Sequence, residues 1–209
     1  MKRGYAEPPS GFFLSTALEL APRLVGCLLV HSVGGSVRSG VIVEVEAYAH
    51  DDPASHAFSG RTARNWPMFE RGGLAYVYFI YGMHTCFNVT AAQEGCGEAV
   101  LVRALEPVEG LSQMRAARGV EEPRLLASGP GRLCAAMGIT LAANGVDLLE
   151  GPLRLLIPDR PSGEVVGCSE RIGISRAAER PWRFFAAGSE FLSRPSRHAG
   201  ERVRDPSCG

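Results

Sequence analysis

Residues 40–103 restrict the fold of this chain more than any other stretch, because they hold the runs most typical of β-strands. Val, Ile, Tyr and Phe are concentrated in these runs, and tight turns or one longer loop separate them. Strands are predicted at residues 27–32, 39–48, 74–80, 85–90, 99–105, 153–157, 171–174 and 183–187, and helices at 15–25, 110–118 and 132–137. Gly34 and Gly35 mark a hairpin turn between the first two strands. We therefore predict an α+β fold: a single domain with a curved, mostly antiparallel sheet, surrounding helices and a protruding β-hairpin.

The length of 209 residues is enough for one sizeable core, so we predict one domain over residues 1–209 with flexible termini at 1–10 and 194–209. No apolar run approaches the roughly 20 residues of a membrane helix, and the start of the chain is not that of a signal peptide. The predicted location is the cytoplasm, without membrane contact. Six widely spaced cysteines predict free thiols, and no Cys/His cluster has the spacing of metal ligands. We expect neither a metal nor a cofactor.

The strand predicted at 39–48 carries two acids on one face. Ile42, Glu44, Glu46 and Tyr48 alternate there with Val41, Val43, Val45 and Ala47. A solvated strand face would show the same pattern. The two carboxylates would be about 7 Å apart along the strand, on the same side of a substrate, whereas glycosidases place their pair on opposite sides of the scissile bond. A single general base, Glu46, that activates water fits this spacing better, with Glu44 as structural support.

The basic residues argue against covalent catalysis by lysine, and one of them, Arg103, stands at an unusual position in a predicted strand. Of the 22 basic residues only Lys2 is a lysine, so a Schiff base would need Lys2 or the terminal amine, both in a terminus predicted to be flexible. Lysine covalent catalysis is therefore close to excluded. Arg103 lies in an apolar run and must find a partner or border a cavity. The net charge of zero argues against a protein that coats nucleic acid indiscriminately.

Aromatic residues occur at unusual places in the predicted strands. Tyr76 and Tyr78 share a strand face, from which they could stack on a flat ring, and ordinary core packing would explain them as well. Tyr81, Met83 and His84 lie at a predicted hairpin tip, where polar residues are usual. Large side chains at a tip suggest a contact partner, and Tyr81 could wedge into a base stack.

Taken together, these residues make the chain resemble the alkyladenine (3-methyladenine) DNA glycosylases in their bacterial form. The matching motifs are residues 43–48, His56, 64–65 with 68–69, 76–84, Asn88, 101–107, 128–130 and 171–174. The resemblance covers nearly the whole chain, from about Phe13 to Ser189. Any one motif alone is weak, whereas the set is highly specific.

The resemblance implies a monofunctional enzyme of base excision repair. Such an enzyme flips a damaged purine out of double-stranded DNA and cleaves its N-glycosidic bond with water, leaving an abasic site. Glu46 would be the general base, and Arg103 with the carbonyl of Ile174 would help to hold the water. The residues that would contact the base are Tyr48 on one side, His56 and Tyr78 on the other, the main-chain amide of His56 at the purine edge, and Asn88, which would crowd the exocyclic amine of guanine.

The same resemblance implies a DNA-binding surface on a monomer. Tyr81 would fill the gap left in the duplex from the minor-groove side, beside Met83 and His84. The set is completed by Arg61, Arg64 and Met68. For Arg171 and Arg176 a phosphate contact and a role in surface solubility are equally open.

The lesion preference stays open. Alkylated purines are cationic and leave easily, whereas neutral hypoxanthine or ethenoadenine needs protonation, and His56 is the only nearby titratable candidate. The loop between Tyr48 and His56 is one residue shorter than in the vertebrate relatives, and Ala99 stands where they carry a cysteine.

Two other classes of protein remain in competition. A non-catalytic reader of damaged or single-stranded DNA would use Tyr81 and the arginines alone, without need of Glu46. A nucleoside hydrolase would need several Asp residues with a metal, for which Asp51 and Asp52 are a weak basis.

Overall fold

The computed structural model describes residues 4–80, 82, 84–160 and 165–195. Within these residues the strands are β1 (Tyr5–Ala6), β2 (Leu28–Val33), β3 (Ser36–Tyr48), β4 (Ala75–Ile80), β5 (His84–Ala91), β6 (Glu98–Glu109), β7 (Leu153–Pro158), β8 (Val166–Ser169) and β9 (Arg183–Ala186). The helices are α1 (Ala17–Leu24), α2 (Leu111–Arg118), α3 (Pro123–Leu126) and α4 (Pro130–Met137), with short 3-10 turns at Trp66–Phe69 and Leu141–Ala143.

The strands form one open sheet in the order β1-β7-β2-β3-β6-β5-β4, and each described pair is antiparallel. A short branch leaves this path, because β9 pairs with the end of β3 and β8 pairs with β9. The predicted α+β class and mostly antiparallel sheet are confirmed. The hairpin of β4 and β5 is also present, with Ile80 opposite His84. Its tip residues Tyr81 and Met83 lie outside the described residues.

Local signals placed several elements correctly. The turn between β2 and β3 has φ of +58° at Gly34 and +71° at Gly35, and such left-handed values favour glycine. Helix α1 begins after Thr16, whose side chain accepts from the amide of Glu19 while the Glu19 carboxylate accepts from the amide of Thr16. This reciprocal cap satisfies two amides that the first helical turn leaves without partners.

Strand β3 contains a bulge that the alternating sequence pattern does not reveal. Ile42 pairs with Leu105 and Glu44 with Ala104, so Val43 has no partner on β6. Because of this bulge, the side chains of the consecutive residues Ile42 and Val43 both lie in the hydrophobic core. The prediction that Ile42 shares the face of Glu44 is therefore wrong.

The prediction of a strand at residues 171–174 is also wrong. This segment is a loop, in which the amide of Ile172 donates to the Glu46 carboxylate instead of to a neighbouring strand. Gly173 has a φ of +80°, which a strand does not accommodate. The sheet position beside β9 is taken by β8, which the sequence pattern missed together with β1 and α3. Although β1 lies in the amino-terminal segment, the flexibility of residues 1–10 and 194–209 stays a prediction.

The two faces of the β4–β6 part of the sheet have different roles. One face, which includes Val77, Phe87 and Val102, belongs to the main hydrophobic core with α1 and α4. The opposite face carries the aromatic and polar residues predicted as functional. All five cysteines in the described part of the chain are free thiols, as predicted. No described helix is long and apolar enough to cross a membrane.

Candidate active site

A cavity of about 350 Å³ opens on the face of the sheet that points away from the core. Its floor and walls are formed by Tyr48, Ala54, His56, Met68, Tyr76, Tyr78, Ile80, His84, Cys86, Asn88, Ala99, Leu101, Arg103, Pro130, Gly131, Ile172, Gly173 and Ile174. Four strands (β3, β4, β5 and β6), the start of α4, the 3-10 turn at Met68 and two loops therefore meet there. The cavity brings together six of the seven residues predicted to bind the base or hold the water.

The seventh, Glu46, is fully buried and contacts three residues of the cavity wall. Its Oε2 accepts a hydrogen bond from the Tyr48 hydroxyl at 2.9 Å. Its Oε1 accepts from the amide of Ile172 at 2.7 Å and lies 3.1 Å from Arg103 Nη1. Because a carboxylate offers about four acceptor positions, these three contacts leave one position for a further donor such as water.

Arg103 both finds partners and borders the cavity, as its place in an apolar strand predicts. Its Nε donates to Glu44 Oε1 at 2.9 Å, and its Nη1 faces Glu46. Burial by itself would lower the pKa of Arg103, but the carboxylates of Glu46 and Glu44 raise it above the ordinary value. The guanidinium is therefore a permanent cation beside the Glu46 carboxylate.

Glu44 is a structural partner of arginines rather than a second acid facing a substrate. It is fully buried and contacts both Arg103 and Arg183. Burial would raise the pKa of Glu44, but the guanidiniums of Arg183 and Arg103 outweigh that effect and lower it. Glu44 therefore stays ionised, and the pair Glu44 and Glu46 does not face a common substrate.

The aromatic wall consists of His56, Tyr76 and Tyr78. The rings of His56 and Tyr78 are 4.6 Å apart between centroids at an angle of 70°, and the Tyr76 hydroxyl lies 2.8 Å from His56 Nδ1. Burial raises the pKa of Tyr76 to about 12 and that of Tyr78 further. Burial, reinforced by the Glu46 carboxylate, also raises the pKa of Tyr48, so the phenols stay neutral. Neutral tyrosines can stack on a flat ring and attract a cationic one.

His50 and His56 are expected to titrate on opposite sides of pH 6.5. The hydrogen bond to the Glu98 carboxylate raises the pKa of His50, whereas burial, and then the charge of Arg64, lowers the pKa of His56. The contribution of His56 to stability is therefore present above pH 6.5 and is lost as the pH falls through its lowered pKa. An NMR titration of the ring protons measures both values, with His56→Gln to assign the signals. A higher pKa for His56 than for His50 would contradict this assignment of environments.

Asn88 and Asn65 use their amides to hold backbone around the cavity. Asn88 Nδ2 donates to the Tyr76 carbonyl at 2.9 Å, which fixes the orientation of its side chain at the wall. Asn65 Nδ2 donates to the carbonyls of His56 at 2.8 Å and Gly60 at 3.0 Å. Asn65 thus shapes the loop that carries His56. The sequence pattern marked Asn65 only as part of a motif and offered no sign of this role.

Arg171 is neither a phosphate contact nor a surface arginine, so both alternatives predicted for it are wrong. Its side chain is fully buried and pairs with both carboxylate oxygens of Asp52, which is also fully buried. The guanidinium lies over the ring of Tyr48, 4.6 Å from the centroid, and also donates to the Ala47 carbonyl. The pair therefore joins the loop before His56 to the loop that contains Ile172. It also commits Asp52 to a structural role, which weakens the basis for a nucleoside hydrolase further.

The residues predicted to contact DNA differ in how far their side chains are exposed. Arg61 and Arg64 are exposed, although Arg61 forms an ion pair with Glu70 and Arg64 lies over the Tyr78 ring at 5.1 Å. Met68 is 1% exposed and lines the cavity, so it does not form part of the outer surface. Tyr81 and Met83 lie outside the described residues.

His84 is exposed at the rim of the cavity, next to the start of α4. A Cβ atom at Gly131 would lie 3.1 Å from the His84 ring, so glycine allows the helix to approach the hairpin this closely. The rim therefore combines the hairpin with the beginning of a helix.

A family model described as methylpurine-DNA glycosylase (MPG) matches residues 11–190. The chain belongs to this family. Membership makes it an enzyme, a hydrolase of N-glycosyl bonds, and places it in DNA repair rather than among non-catalytic readers.

Individual relatives agree with this methylpurine-DNA glycosylase assignment. A protein of Methanoculleus marisnigri is 50% identical over 89% of this chain and 98% of its own length. Proteins of Rhodopseudomonas palustris (49% identical, covering 88% of this chain and 86% of the relative) and Nitrosospira multiformis (50%, covering 90% and 95%) are similar. Each carries the name "Putative 3-methyladenine DNA glycosylase". The resemblance inferred from the motifs is therefore confirmed.

Proposed function

We propose that this methylpurine-DNA glycosylase flips an alkylated purine out of duplex DNA into the cavity and hydrolyses its N-glycosidic bond with a water that Glu46 activates. The observation that carries the proposal is the position of Glu46. A buried carboxylate with one free acceptor position lies directly behind a cavity with aromatic walls. The partner is double-stranded DNA with a damaged purine, bound by a monomer in the cytoplasm.

The chemistry follows from the groups around Glu46. The carboxylate removes a proton from the water while the water oxygen forms a bond to C1′ of the deoxyribose. The bond between C1′ and the purine nitrogen breaks, and its electron pair leaves with the base. An alkylated purine carries a positive charge and departs as a neutral base, so this step needs no proton from the protein. The charge of Arg103 and the carbonyl of Ile174 help to orient the water.

Binding of the base rests on the aromatic residues. Tyr48, His56 and Tyr78 line the cavity, and a cationic purine between neutral rings gains cation–π attraction of about 0.5–2 kcal/mol. His56 is held neutral by the environment that lowers its pKa, so it adds no repulsive charge at neutral pH. Asn88 stands at the wall, where it would meet the exocyclic amine of guanine. The hairpin tip with Tyr81, together with Met83, His84, Arg61 and Arg64, would hold the opened duplex.

A base-release assay on duplexes with one defined lesion each is expected to rank cationic lesions first. 3-Methyladenine or 7-methylguanine should be released faster than hypoxanthine or ethenoadenine, because burial lowers the pKa of His56, the titratable candidate for protonating a leaving base. Chromatography of the free base measures the rate. An undamaged duplex and the free nucleosides are the controls. Release from free nucleosides at the rate found in duplex DNA would contradict base flipping from DNA as the function.

A further inference from the structure

Ser193 connects the end of the described chain to the buried charges behind the cavity. It lies beyond residue 190, where the match to the family ends. Its backbone amide donates to Glu44 Oε2 at 2.6 Å, and its hydroxyl donates to Glu44 Oε1 at 2.7 Å. The same hydroxyl accepts from Arg103 Nη2 at 3.3 Å. Ser193 therefore contacts both Glu44 and Arg103, the ion pair that lies next to Glu46.

The carboxylate of Glu44 accepts four hydrogen bonds, which uses about all of its acceptor positions. Two come from Ser193, one from Arg103 Nε at 2.9 Å, and one from Arg183 Nε at 2.7 Å. With Glu46, the buried cluster holds two carboxylates and two guanidiniums, so its net charge is zero. A balanced cluster avoids the large cost of an unpaired buried charge.

Arg183 is itself held on two sides. Its Nη1 donates to the Ser169 hydroxyl at 3.0 Å, on strand β8. Its Nη2 donates to the backbone carbonyl of Arg194 at 3.0 Å. The segment around Ser193 is therefore bound to the cluster through side chain and backbone alike, and the branch of β8 and β9 brings Arg183 to Glu44.

The orientation of Arg103 follows from these contacts. A guanidinium is planar, so fixing two of its nitrogens determines the direction of the third. Glu44 fixes Nε and the Ser193 hydroxyl fixes Nη2, which leaves Nη1 directed at Glu46 Oε1 at 3.1 Å. Without these two contacts the guanidinium could rotate away from Glu46.

We propose that Ser193, acting with Glu44 and Arg183, is a positioning residue that holds the Arg103 guanidinium against Glu46. The rate of N-glycosidic bond hydrolysis then depends on a segment outside the part of the chain that the family model matches. The proposal rests on the function proposed above, in which Glu46 and Arg103 act on the water. Pre-set orientation matters for rate, because misplacement by about 1 Å costs up to 10²-fold.

Ser193→Ala is expected to slow single-turnover base release from a 3-methyladenine duplex about tenfold while leaving the dissociation constant for that duplex unchanged. The alanine removes the hydroxyl contacts to Glu44 and Arg103 and keeps the amide contact. Ser193→Thr restores a hydroxyl and is expected to recover most of the rate. Ser189→Ala is the matched control in the same segment and should release base at the wild-type rate. Within the described part of the chain, the Ser189 hydroxyl accepts from the Phe191 amide alone.

Three outcomes would overturn the proposal: a wild-type rate for Ser193→Ala, an equally slow Ser193→Thr, or a Ser189→Ala as slow as Ser193→Ala. Thermal unfolding of each variant is measured in parallel, and a rate loss that tracks the loss of Tm also counts against positioning. Glu46→Gln is assayed beside them. If Glu46→Gln releases base normally, the proposed function fails, whereas an inactive Glu46→Gln with a normal Ser193→Ala removes only the positioning role.

Discussion

Glu46→Gln is expected to reduce base release by about 10²–10⁴-fold, the usual contribution of a general base, while binding to lesion-containing duplex is retained. Glutamine keeps the shape of the side chain and its carbonyl can still accept from the Ile172 amide and from Arg103. Its NH2 group would face the Tyr48 hydroxyl, which can turn and accept instead of donating. The pocket is therefore preserved, and only the ability to take a proton from water is lost.

Single-turnover release of 3-methyladenine measures the effect, and fluorescence anisotropy with a labelled lesion duplex measures binding. Glu70→Gln, which removes a carboxylate from the exposed pair with Arg61, is the matched control. Release at the wild-type rate by Glu46→Gln would show that another group activates the water. Loss of duplex binding together with activity would show instead that Glu46 shapes the pocket.

Asp52→Ala is expected to destabilise the fold by about 3–5 kcal/mol, because it leaves the buried guanidinium of Arg171 without its carboxylate. The remaining neighbours of Arg171 are carbonyls of Ala47 and Ala177 and the rings of Tyr48 and Trp182, and none of them carries a compensating charge. In a domain of this size each kcal/mol lowers Tm by about 2–4 °C. The expected drop is therefore roughly 6–20 °C.

Urea denaturation gives the free energy of unfolding, and calorimetry gives Tm. The exposed pair of Arg61 and Glu70 is again the control, since Glu70→Ala should cost no more than about 1 kcal/mol. A similar small loss for Asp52→Ala would mean that water or a shifted side chain satisfies Arg171. Because Arg171 lies under Tyr48 and precedes Ile172, a destabilised variant is also expected to bind the lesion less tightly.

Local patterns in the sequence were sufficient for much of the sheet. Runs rich in β-branched and aromatic residues mark β3, β4, β5 and β6, and two glycines mark the turn before β3. These signals are local because side chains alternate with a period of two and a tight turn needs only two residues with left-handed backbone. The same alternation placed Ala99, Leu101 and Arg103 on one face and predicted that Arg103 finds a partner or borders a cavity.

The candidate site was predictable in part for the same reason. Glu46, Tyr48, Tyr78 and Arg103 stand out as acids, aromatics or cations in apolar strands, and the motif resemblance added His56 and Asn88. Strand β3 departs from the pattern at one point, since the bulge at Val43 depends on the pairing with β6 and not on the residue types.

The residue pattern predicts the type of sheet, a single general base at Glu46 instead of a pair of acids, and the near absence of lysine chemistry. The contacts of Arg171 with Asp52 and of Ser193 with Glu44 depend on the folded arrangement, because these partners are 119 and 149 residues apart in the chain. No local pattern reports such contacts, since burial and charge pairing depend on which segments meet. Arg171, a candidate phosphate contact, and Ser193, near the predicted tail, thus become parts of the buried network beside Glu46 only in the folded chain.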